Sequence, residues 1–492
     1  MLIRPFTAAT YAVSDWVFLR ALALIYLAAF VSLGVQIKGL IGREGILPAG
    51  VFLGQLQPVF GRARFTAVPT LCWFNASDHS LQFLCWAGVA LSLALFVGIA
   101  PVATLVLLWA CYLSLLNVSG VFLGYQWDVL LLETGFVAIW LAPLDLLPHW
   151  PPQVTSPHPI AVWLARWLLF RLMFSSGVVK LRSGDPTWRA LTALTHHYET
   201  QPLPTPLAWV AHQLPTWAHK ISCAVMFAIE LPLPFLFFAP APLCYVAGAL
   251  TILLMLLIMA TGNYCFFNLL AMALSVLVFD DAVWPRALAG AAVSSSNWPS
   301  WAVWTSALVL VVLSIRPMVS LFDRDVRWPR PLALFFGMLE RFHLVNGYGL
   351  FAVMTTRRRE IVIEGSNDDM TWQAYEFKWK PGDPRRRPRY CMPHQPRLDW
   401  QMWFAALGDY RLNLWFIAFL GRLLENAQPV RALLRTNPFS DGPPRYVRAV
   451  LYEYQFTDRS EYSRTGMWWR RERLSLYCPV LTRAGDSLRI AS

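Results

Sequence analysis

The sequence predicts a polytopic α-helical membrane protein of about nine spans, with a C-terminal β-rich, jelly-roll-like extramembrane domain that carries an inserted helix. Three observations predict this fold class. The 492 residues are 57% hydrophobic and 14% charged, at a mean hydropathy of +0.45, whereas soluble domains carry about 25% charged residues. The 24 Trp and 31 Phe suit a bilayer interface. These values exclude a soluble enzyme, a disordered regulator and a coiled coil.

The third observation is a break in charge density along the chain. Residues 1–315 hold 13 Lys and Arg against 11 Asp and Glu, whereas residues 316–492 hold 28 against 18. Such a break marks a boundary between lipid-embedded and aqueous regions. We therefore predict a transmembrane domain over 1–320 and a separately folded, basic extramembrane domain over 321–492. The arginines of the tail are scattered among Trp, Tyr and Asp, which favours anionic lipid or an acidic protein face over nucleic acid as the partner.

A membrane-spanning helix needs about 17–25 mostly apolar residues. The segments that qualify are 16–35, 82–100, 101–118, 127–147, 160–179, 221–239, 243–260, 264–280 and 301–316. The turns at Pro101 and Cys265 are short for two adjacent full spans, so a re-entrant or half-length segment is the alternative at either place. An odd number of spans puts the first long loop and the loop at 180–220, both basic, on the side of the tail. The compartment that this side faces stays open.

Ionisable side chains inside spans are costly and mark either buried pairing or function. We single out Arg20, Asp128, Glu133, Arg166, Arg171 and Glu230. The first interpretation pairs Asp128 and Glu133 with Arg166 and Arg171 across neighbouring helices, as structural contacts. The alternative places these four side chains around a polar cavity.

The eight cysteines predict neither a disulfide framework nor a metal site. Most of them fall in or beside apolar spans, where a free thiol behaves as a small hydrophobe. Only Cys391 and Cys478 lie in the aqueous tail, where a bridge between them is one alternative. The sequence has no CxxC and no Cys/His spacing typical of zinc, so we expect neither a metal nor a cofactor.

The densest polar cluster of the membrane part lies in the loop at 180–220. Lys180 ends an apolar helix, where a cation interacts favourably with the helix dipole. Asp185, followed by Pro, predicts the N-cap of a further helix. One interpretation of the cluster is a snorkelling lysine beside an interfacial loop. The other takes Lys180, with His196 or His197, as catalytic groups, because a partly desolvated lysine can act as a base.

The tail alternates polar and apolar residues in several short runs. These runs predict a hairpin of strands at 359–365 and 372–380, and further strands at 445–457 and 474–480. Residues 400–427 have helical spacing instead. We expect this helix to pack on the apolar face of the sheet, and the alternative is a helix that lies in the bilayer surface.

Two groups in the tail are candidates for partner binding. Three consecutive arginines form a basic turn: Arg385, Arg386 and Arg387. This turn is either a solvated surface loop or a binding site. As a binding site it would hold anionic lipid, or the acidic face of a client protein, through bidentate arginine contacts. Arg397 and Trp400 open the Trp-rich helix and form the second group. There we expect Arg397 to pair with Asp399, and Asp399 to be the N-cap.

Two long stretches of the chain resemble one family. They are FRLMFSSGVVKLRSGDPTWRALTALTHHYETQPLPTPLAWVAHQLP, at 170–215, and NGYGLFAVMTTRRREIVIEGSNDDMTWQAYEFKWKPGDPRRRPRYCMPHQPRLDWQMWFAAL, at 346–407. Both resemble, in the same order, the signature of the lipase maturation factors, and the resemblance spans roughly residues 1–480. It implies a multi-span protein of the endoplasmic reticulum membrane that assists folding and assembly of secreted homodimeric lipases. The Ala-, Arg- and Trp-rich composition resembles a bacterial member, which would lie in the bacterial inner membrane.

The first stretch is also similar, more distantly, to the transmembrane region of vitamin K-dependent gamma-glutamyl carboxylase. In that resemblance Lys180 stands at the position of the enzyme's base lysine. This implies a cavity between helices near Lys180, but it does not imply the same reaction.

These observations leave two functions. The first, which the family resemblance favours, is a non-enzymatic folding factor: its helices are anchored in the lipid bilayer and its tail binds a client protein, a secreted lipase by resemblance. It predicts exposed apolar or basic patches on the tail. The alternative is a membrane enzyme that uses Lys180 as a base on a lipid or quinone-like substrate. It predicts a cavity that reaches Lys180, with the two histidines within hydrogen-bond reach.

Overall fold

The structure is a computed structural model that describes residues 10–148, 154–285, 293–323, 325–485 and 487–491. Its N-terminal part is a bundle of helices. They are α1 (Ala12–Gly34), α2 (Ile37–Ile41), α3 (Ala49–Phe60), α4 (Arg64–Ala67), α5 (Asp78–Val97), α6 (Pro101–Val118), α7 (Gln126–Leu141), α8 (Pro159–Arg182), α9 (Pro186–Arg189), α10 (Leu194–Thr200), α11 (Pro206–His212), α12 (Thr216–Glu230), α13 (Leu243–Thr261), α14 (Phe267–Val276) and α15 (Ser300–Ser320).

Within the described residues, seven helices are long and apolar enough to cross a membrane. They are α1, α5, α6, α8, α12 with its 3₁₀ continuation to Phe238, α13 and α15. The chain is thus an integral membrane protein, and seven of the about nine predicted spans are helices of this length. The other two predicted segments form helices of only 16 residues, α7, and 10 residues, α14. Ten residues rise only about 15 Å, half the thickness of a bilayer core.

The two short turns behave differently. Gly98 ends α5 with a φ of 96°, and Pro101 begins α6. A backbone N–H in the first turn of a helix has no carbonyl partner within the helix, so proline is tolerated there. A turn of this kind is compact enough to join two full spans. At the second turn Cys265 has a φ of 57°, and the helix that follows, α14, stays short. The half-length alternative is therefore confirmed at Cys265 and not at Pro101.

Successive helices alternate in direction, so the bundle has two ends. At the end that we call the sheet end, four connections contact residues of the tail: 35–77, 119–125, 183–215 and 262–266. The prediction that the first long loop and the loop at 180–220 lie on the side of the tail is confirmed. At the opposite end, the two short parallel strands β1 (Val154–Ser156) and β2 (Val293–Ser295) pair with each other.

The tail is built on one antiparallel sheet. Its strands are β3 (Arg358–Ser366), β4 (Gln373–Phe377), β5 (Leu434–Thr436), β6 (Tyr446–Phe456), β7 (Trp469–Ala484) and β8 (Ser487–Ile490), in the order β5-β4-β3-β6-β7-β8. The predicted hairpin is confirmed, with Ile363 opposite Tyr375. A jelly roll needs two facing sheets. Since the described part of the tail has one, that finer prediction is wrong.

The described part of the tail also contains five helices: α16 (Arg330–Glu340), α17 (Arg397–Ala405), α18 (Leu414–Leu424), α19 (Gln428–Arg431) and α20 (Arg459–Thr465). The single helix predicted over 400–427 is in fact two, α17 and α18. The packing of α18 on the sheet is confirmed, since the ring of Phe416 lies 5.2 Å from that of Tyr477. The helix α17 contacts both the sheet and the bundle: the hydroxyl of Tyr477 in β7 donates to the carbonyl of Ala405, and Arg397 donates to Asp128 in the bundle. The buried side chains of bundle and sheet consequently form one continuous core.

Candidate functional site

Lys180 lies near the end of α8, and its ammonium is buried against a carboxylate of α12. Its Nζ is 2.7 Å from both Oε1 and Oε2 of Glu230, and each residue is only 5% exposed. Gly177, one turn earlier, makes this approach feasible, since a Cβ there would lie 3.1 Å from the Cβ of Glu230. The ring of Trp188 covers the ammonium at 5.6 Å.

This pairing limits what Lys180 can do. A general base needs a neutral amine with a lone pair free to accept a proton. Here the ammonium donates to both oxygens of a buried carboxylate, which is the geometry of a structural ion pair. The snorkelling interpretation is wrong, because the side chain of Lys180 is buried against Glu230 and does not reach an aqueous surface.

Asp185 connects the two signature stretches. It caps α9 as predicted, with Oδ1 accepting from the backbone N–H of Thr187 at 2.7 Å. Its Oδ2 accepts from the N–H of Met354, in the second stretch, at 2.6 Å. Burial opposes ionisation of Asp185, but these hydrogen bonds hold its pKa below the usual value. Trp188 adds a parallel link by donating to the carbonyl of Phe351 at 3.0 Å.

His197 belongs to a separate hydrogen-bonded chain on α10. The hydroxyl of Tyr264 donates to Oε1 of Gln201 at 2.8 Å, so it accepts from Nε2 of His197, 3.2 Å away. Burial, and then the positive charge of Lys180, lower the pKa of His197 to about 4. His196 is half-buried, and as the preceding residue of the helix it points about 100° away.

The catalytic candidates are therefore neighbours without forming one reactive cluster. Lys180 is bound by Glu230, and His197 by Tyr264. Among the described residues, no group of three or more His, Cys, Asp or Glu is arranged to hold a metal ion. All eight cysteines are free and buried, so Cys391 and Cys478 are not bridged.

Asp128 is neutralised by the tail. Arg397, at the start of α17, donates to Oδ2 of Asp128 from Nη1 at 2.9 Å and to Oδ1 from Nη2 at 2.8 Å. The hydroxyl of Tyr112 donates to the same carboxylate at 2.5 Å. The predicted Arg397–Asp399 pair is wrong, because the arginine side chain enters the bundle instead. Asp399 is not the N-cap either: its carboxylate accepts from the backbone N–H groups of Trp379 and Lys380.

Glu133 binds both a helix and the tail. Arg171 of α8 donates to Oε1 of Glu133, which confirms the predicted pairing of these two residues across helices. Oε2 accepts from the hydroxyl of Tyr348 at 2.7 Å and from the backbone N–H of Asn346 at 2.8 Å. Arg166, by contrast, donates to backbone carbonyls, including that of Leu277 at 3.0 Å. The predicted fourfold pairing is thus wrong for Asp128 and Arg166.

A third buried charge cluster joins the sheet to the signature loop. Arg358 of β3 donates to the carbonyls of Gln201 and Pro202, and its guanidinium is 2.6 Å from Glu360. Lys380 completes the cluster, 2.9 Å from Glu360. The sequence reasoning did not single out this cluster. The available signal was a pair of opposite charges two residues apart at the start of the predicted strand 359–365, since residues two apart in a strand lie on one face.

The partner-binding candidates of the tail have different surroundings. Arg385 and Arg387 are exposed, whereas Arg386 turns inward and donates to the carbonyl of Phe377 at 2.5 Å. Arg397 is fully buried, and Trp400 is 3% exposed against the ring of Trp127. Of the candidates, only Arg385 and Arg387 are available at the surface.

Similarity to known proteins extends along nearly the whole chain. The family description "Lipase maturation factor transmembrane domain" matches residues 13–286, and "Lipase maturation factor C-terminal domain" matches 344–479. This chain belongs to the lipase maturation factor family. Lipase maturation factor 2 of Gallus gallus is 37% identical over 95% of this chain and 81% of its own length, and that of Homo sapiens is 37% identical over 96% and 83%. Lipase maturation factor 1 of Homo sapiens is 35% identical over 96% and 88%. No solved structure matches.

In this lipase maturation factor the two matched domains share buried charge networks. Asp128 and Glu133, in the transmembrane domain, find partners in Arg397 and Tyr348 of the C-terminal domain. Tyr348 and Arg397, both in the second signature stretch, therefore dock the C-terminal domain on the transmembrane domain. The likeness to the carboxylase and the bacterial origin stay predictions.

Proposed function

We propose that this chain is a membrane-embedded maturation factor that assists the folding or assembly of secreted lipases. Its membership of a family whose relatives are named lipase maturation factors supports this proposal. The observation that carries it against the enzyme alternative is the Lys180–Glu230 pair, because the presumed base already has a buried counter-charge. We further propose the endoplasmic reticulum membrane as its location, or the inner membrane if the chain is bacterial.

The surface that we assign to the client is the outer edge of β7. One edge of this strand pairs with β6. Along the other edge, within the described residues, β8 reaches only Leu481–Ala484. The seven residues from Arg470 to Leu476 are all exposed. An open strand edge offers unpaired N–H and C=O groups to which an extended segment of an unfolded client can add as a further strand.

The charge around this edge defines the client segment further. Arg470, Arg471 and Arg473 lie on the strand. The basic turn lies at its start, since the backbone N–H of Trp468 donates to the carbonyl of Pro384 at 2.9 Å. These arginines discourage pairing of the edge with a second copy of itself. They favour a client segment that carries Asp or Glu.

The test is secretion of an active lipase from cells that lack their own maturation factor. The variant Arg385→Glu/Arg387→Glu/Arg473→Glu reverses three exposed charges at the open edge. We expect it to lower secreted lipase activity several-fold while its level in the membrane stays unchanged, since rim charges govern the rate of encounter. The matched control Arg62→Glu/Arg445→Glu/Arg489→Glu reverses three exposed charges away from the basic turn, two at the other end of the sheet and one in the first long loop.

The outcomes of this test distinguish failure of the maturation function from failure of the assignment of the β7 edge. If the wild-type chain does not raise secreted lipase activity above cells without it, the maturation function is wrong. If it does, but both triple variants lower the activity equally or neither does, the assignment of the β7 edge is wrong.

A further inference from the structure

A second polar site lies at the opposite end of the bundle, far from the tail. A cavity of about 400 Å³ opens there between the first turns of α1, the end of α5 and residues 143–148. Its walls are largely apolar, with Leu19, Phe96 and Leu147 among them. A cavity of this size is in the range that holds small ligands.

Asp15 gives the cavity an unmet hydrogen-bonding demand. The residue lines the cavity, is 2% exposed, and its Oδ1 is buried without a hydrogen-bond partner. A buried acceptor left unpaired is destabilising and requires an explanation. The carboxylate of Asp281 cannot supply the missing donor, because it is itself an acceptor for the backbone N–H groups of Ala12 and Val13. A positively charged donor would therefore satisfy Oδ1 of Asp15.

Arg20 supplies the opposite charge in the same cavity. Its guanidinium lies 4.9 Å from the ring centroid of Trp16, which also lines the cavity. Gly98 lies beside the guanidinium, since a Cβ there would come within 2.9 Å of Nη2 of Arg20. Arg20 and Asp15 interact electrostatically, yet they are not joined as an ion pair among the described contacts. Among the described residues, the cavity is thus lined by one cationic residue, Arg20, and by two acidic residues, Asp15 and Asp145.

We propose that this cavity binds the headgroup of phosphatidylethanolamine, with the ammonium on Asp15 and the phosphate on Arg20. The site opens at the end of the spans, where headgroups lie, and its apolar walls suit the start of the acyl chains. A primary ammonium has three N–H donors, one of which satisfies Oδ1 of Asp15. The quaternary ammonium of phosphatidylcholine has none, so the site selects between two lipids of equal net charge.

The test is the amount of each lipid that the purified full chain retains from an equimolar mixture, measured by native mass spectrometry. We expect about tenfold more phosphatidylethanolamine than phosphatidylcholine, the selectivity that one charge-assisted hydrogen bond provides. Asp15→Asn and Arg20→Gln should each lower the retention of phosphatidylethanolamine and reduce this preference. Asp441→Asn and Arg62→Gln, both at exposed positions, should leave it unchanged.

Equal retention of the two lipids by the wild-type chain would overturn the proposal even if a variant failed to fold. So would a preference that survives both Asp15→Asn and Arg20→Gln. A third measurement adds phosphoethanolamine, which has the headgroup but no acyl chains, to the protein with its retained lipid. If it displaces the retained lipid at equal concentration, the ligand is a soluble phosphate ester and the assignment to a lipid is wrong.

Discussion

At the scale of single residues, opposite charges are buried in pairs, and two of these pairs join elements that are far apart in the sequence. Lys180 and Glu230 are 50 positions apart, and Arg397 and Asp128 are 269 apart. Each pair buries hydrogen-bonded charge in the interior, where an isolated charge is far more costly than a matched pair. The polar signature of the family is therefore best understood, in this chain, as a set of internal contacts.

The Lys180–Glu230 pair gives the first prediction. Lys180→Ala leaves a buried carboxylate without its partner and should destabilise the protein by about 3–5 kcal/mol. The double variant Lys180→Met/Glu230→Leu removes both charges and keeps the volume, so it should regain most of that stability. Thermal unfolding of the purified variants measures both effects.

The double variant also distinguishes a structural lysine from a catalytic one. We expect it to support lipase secretion at close to the wild-type level once its amount in the membrane is matched. A well-folded double variant that supports no secretion would restore Lys180 as a reactive group.

At the scale of elements, the sequence predicts best what depends on local periodicity. The strand expected at 359–365 is β3, Arg358–Ser366, and the strand expected at 445–457 is β6, Tyr446–Phe456. The alternation of polar and apolar residues along a strand is a local property, so it can be recognised without knowing what the strand packs against. The single helix expected over 400–427 is wrong because the spacing is helical on both sides of Gly408, and the sequence does not reveal the break between α17 and α18.

The docking of α2 against α19 gives a prediction at this scale. A Cβ on Gly39 would lie 2.4 Å from the carbonyl oxygen of Pro429, which is backbone and cannot rotate away. Gly39→Ala should therefore push α19 from the bundle, at a cost of about 1–3 kcal/mol. Hydrogen exchange of residues 428–436 should become faster.

Gly54 in α3 provides the matched control, because a Cβ there meets nothing within 4 Å. Gly54→Ala should leave hydrogen exchange of α19 unchanged and stabilise the helix by roughly 0.5–1 kcal/mol. Equal exchange in the two variants would show that the contact with Pro429 is not what holds α19.

At the scale of the whole molecule, the composition break at residue 315 describes solvent exposure better than folding units. Sequence composition reports where lipid and water lie, since it averages over neighbours along the chain. Composition does not indicate which residues make long-range contacts. Asn346, Tyr348 and Arg397 of the tail bind carboxylates of the bundle, those of Asp128 and Glu133. Partners so distant in sequence cannot be assigned without the three-dimensional arrangement.

This arrangement predicts that the tail does not fold alone. A fragment of residues 321–492 would expose Trp400 and the apolar contacts of α17, and it would leave Arg358 and Arg397 without the loop carbonyls and the carboxylate that they bind. We expect the fragment to show little cooperative unfolding by circular dichroism. Co-expression with residues 1–320 should restore protection from protease. Sharp, cooperative unfolding of the isolated fragment would contradict this and would support two independent domains.

The wide separation of Asp128 and Arg397 has a consequence for biosynthesis. A ribosome adding 5–20 residues per second needs roughly 13–54 s to make the 269 residues between them. Throughout that interval the nascent bundle holds an acidic side chain whose guanidinium does not yet exist. Chains released before residue 397 keep that deficit permanently, so the quality-control machinery of the membrane should degrade them, whereas truncations close to the end of the tail should persist.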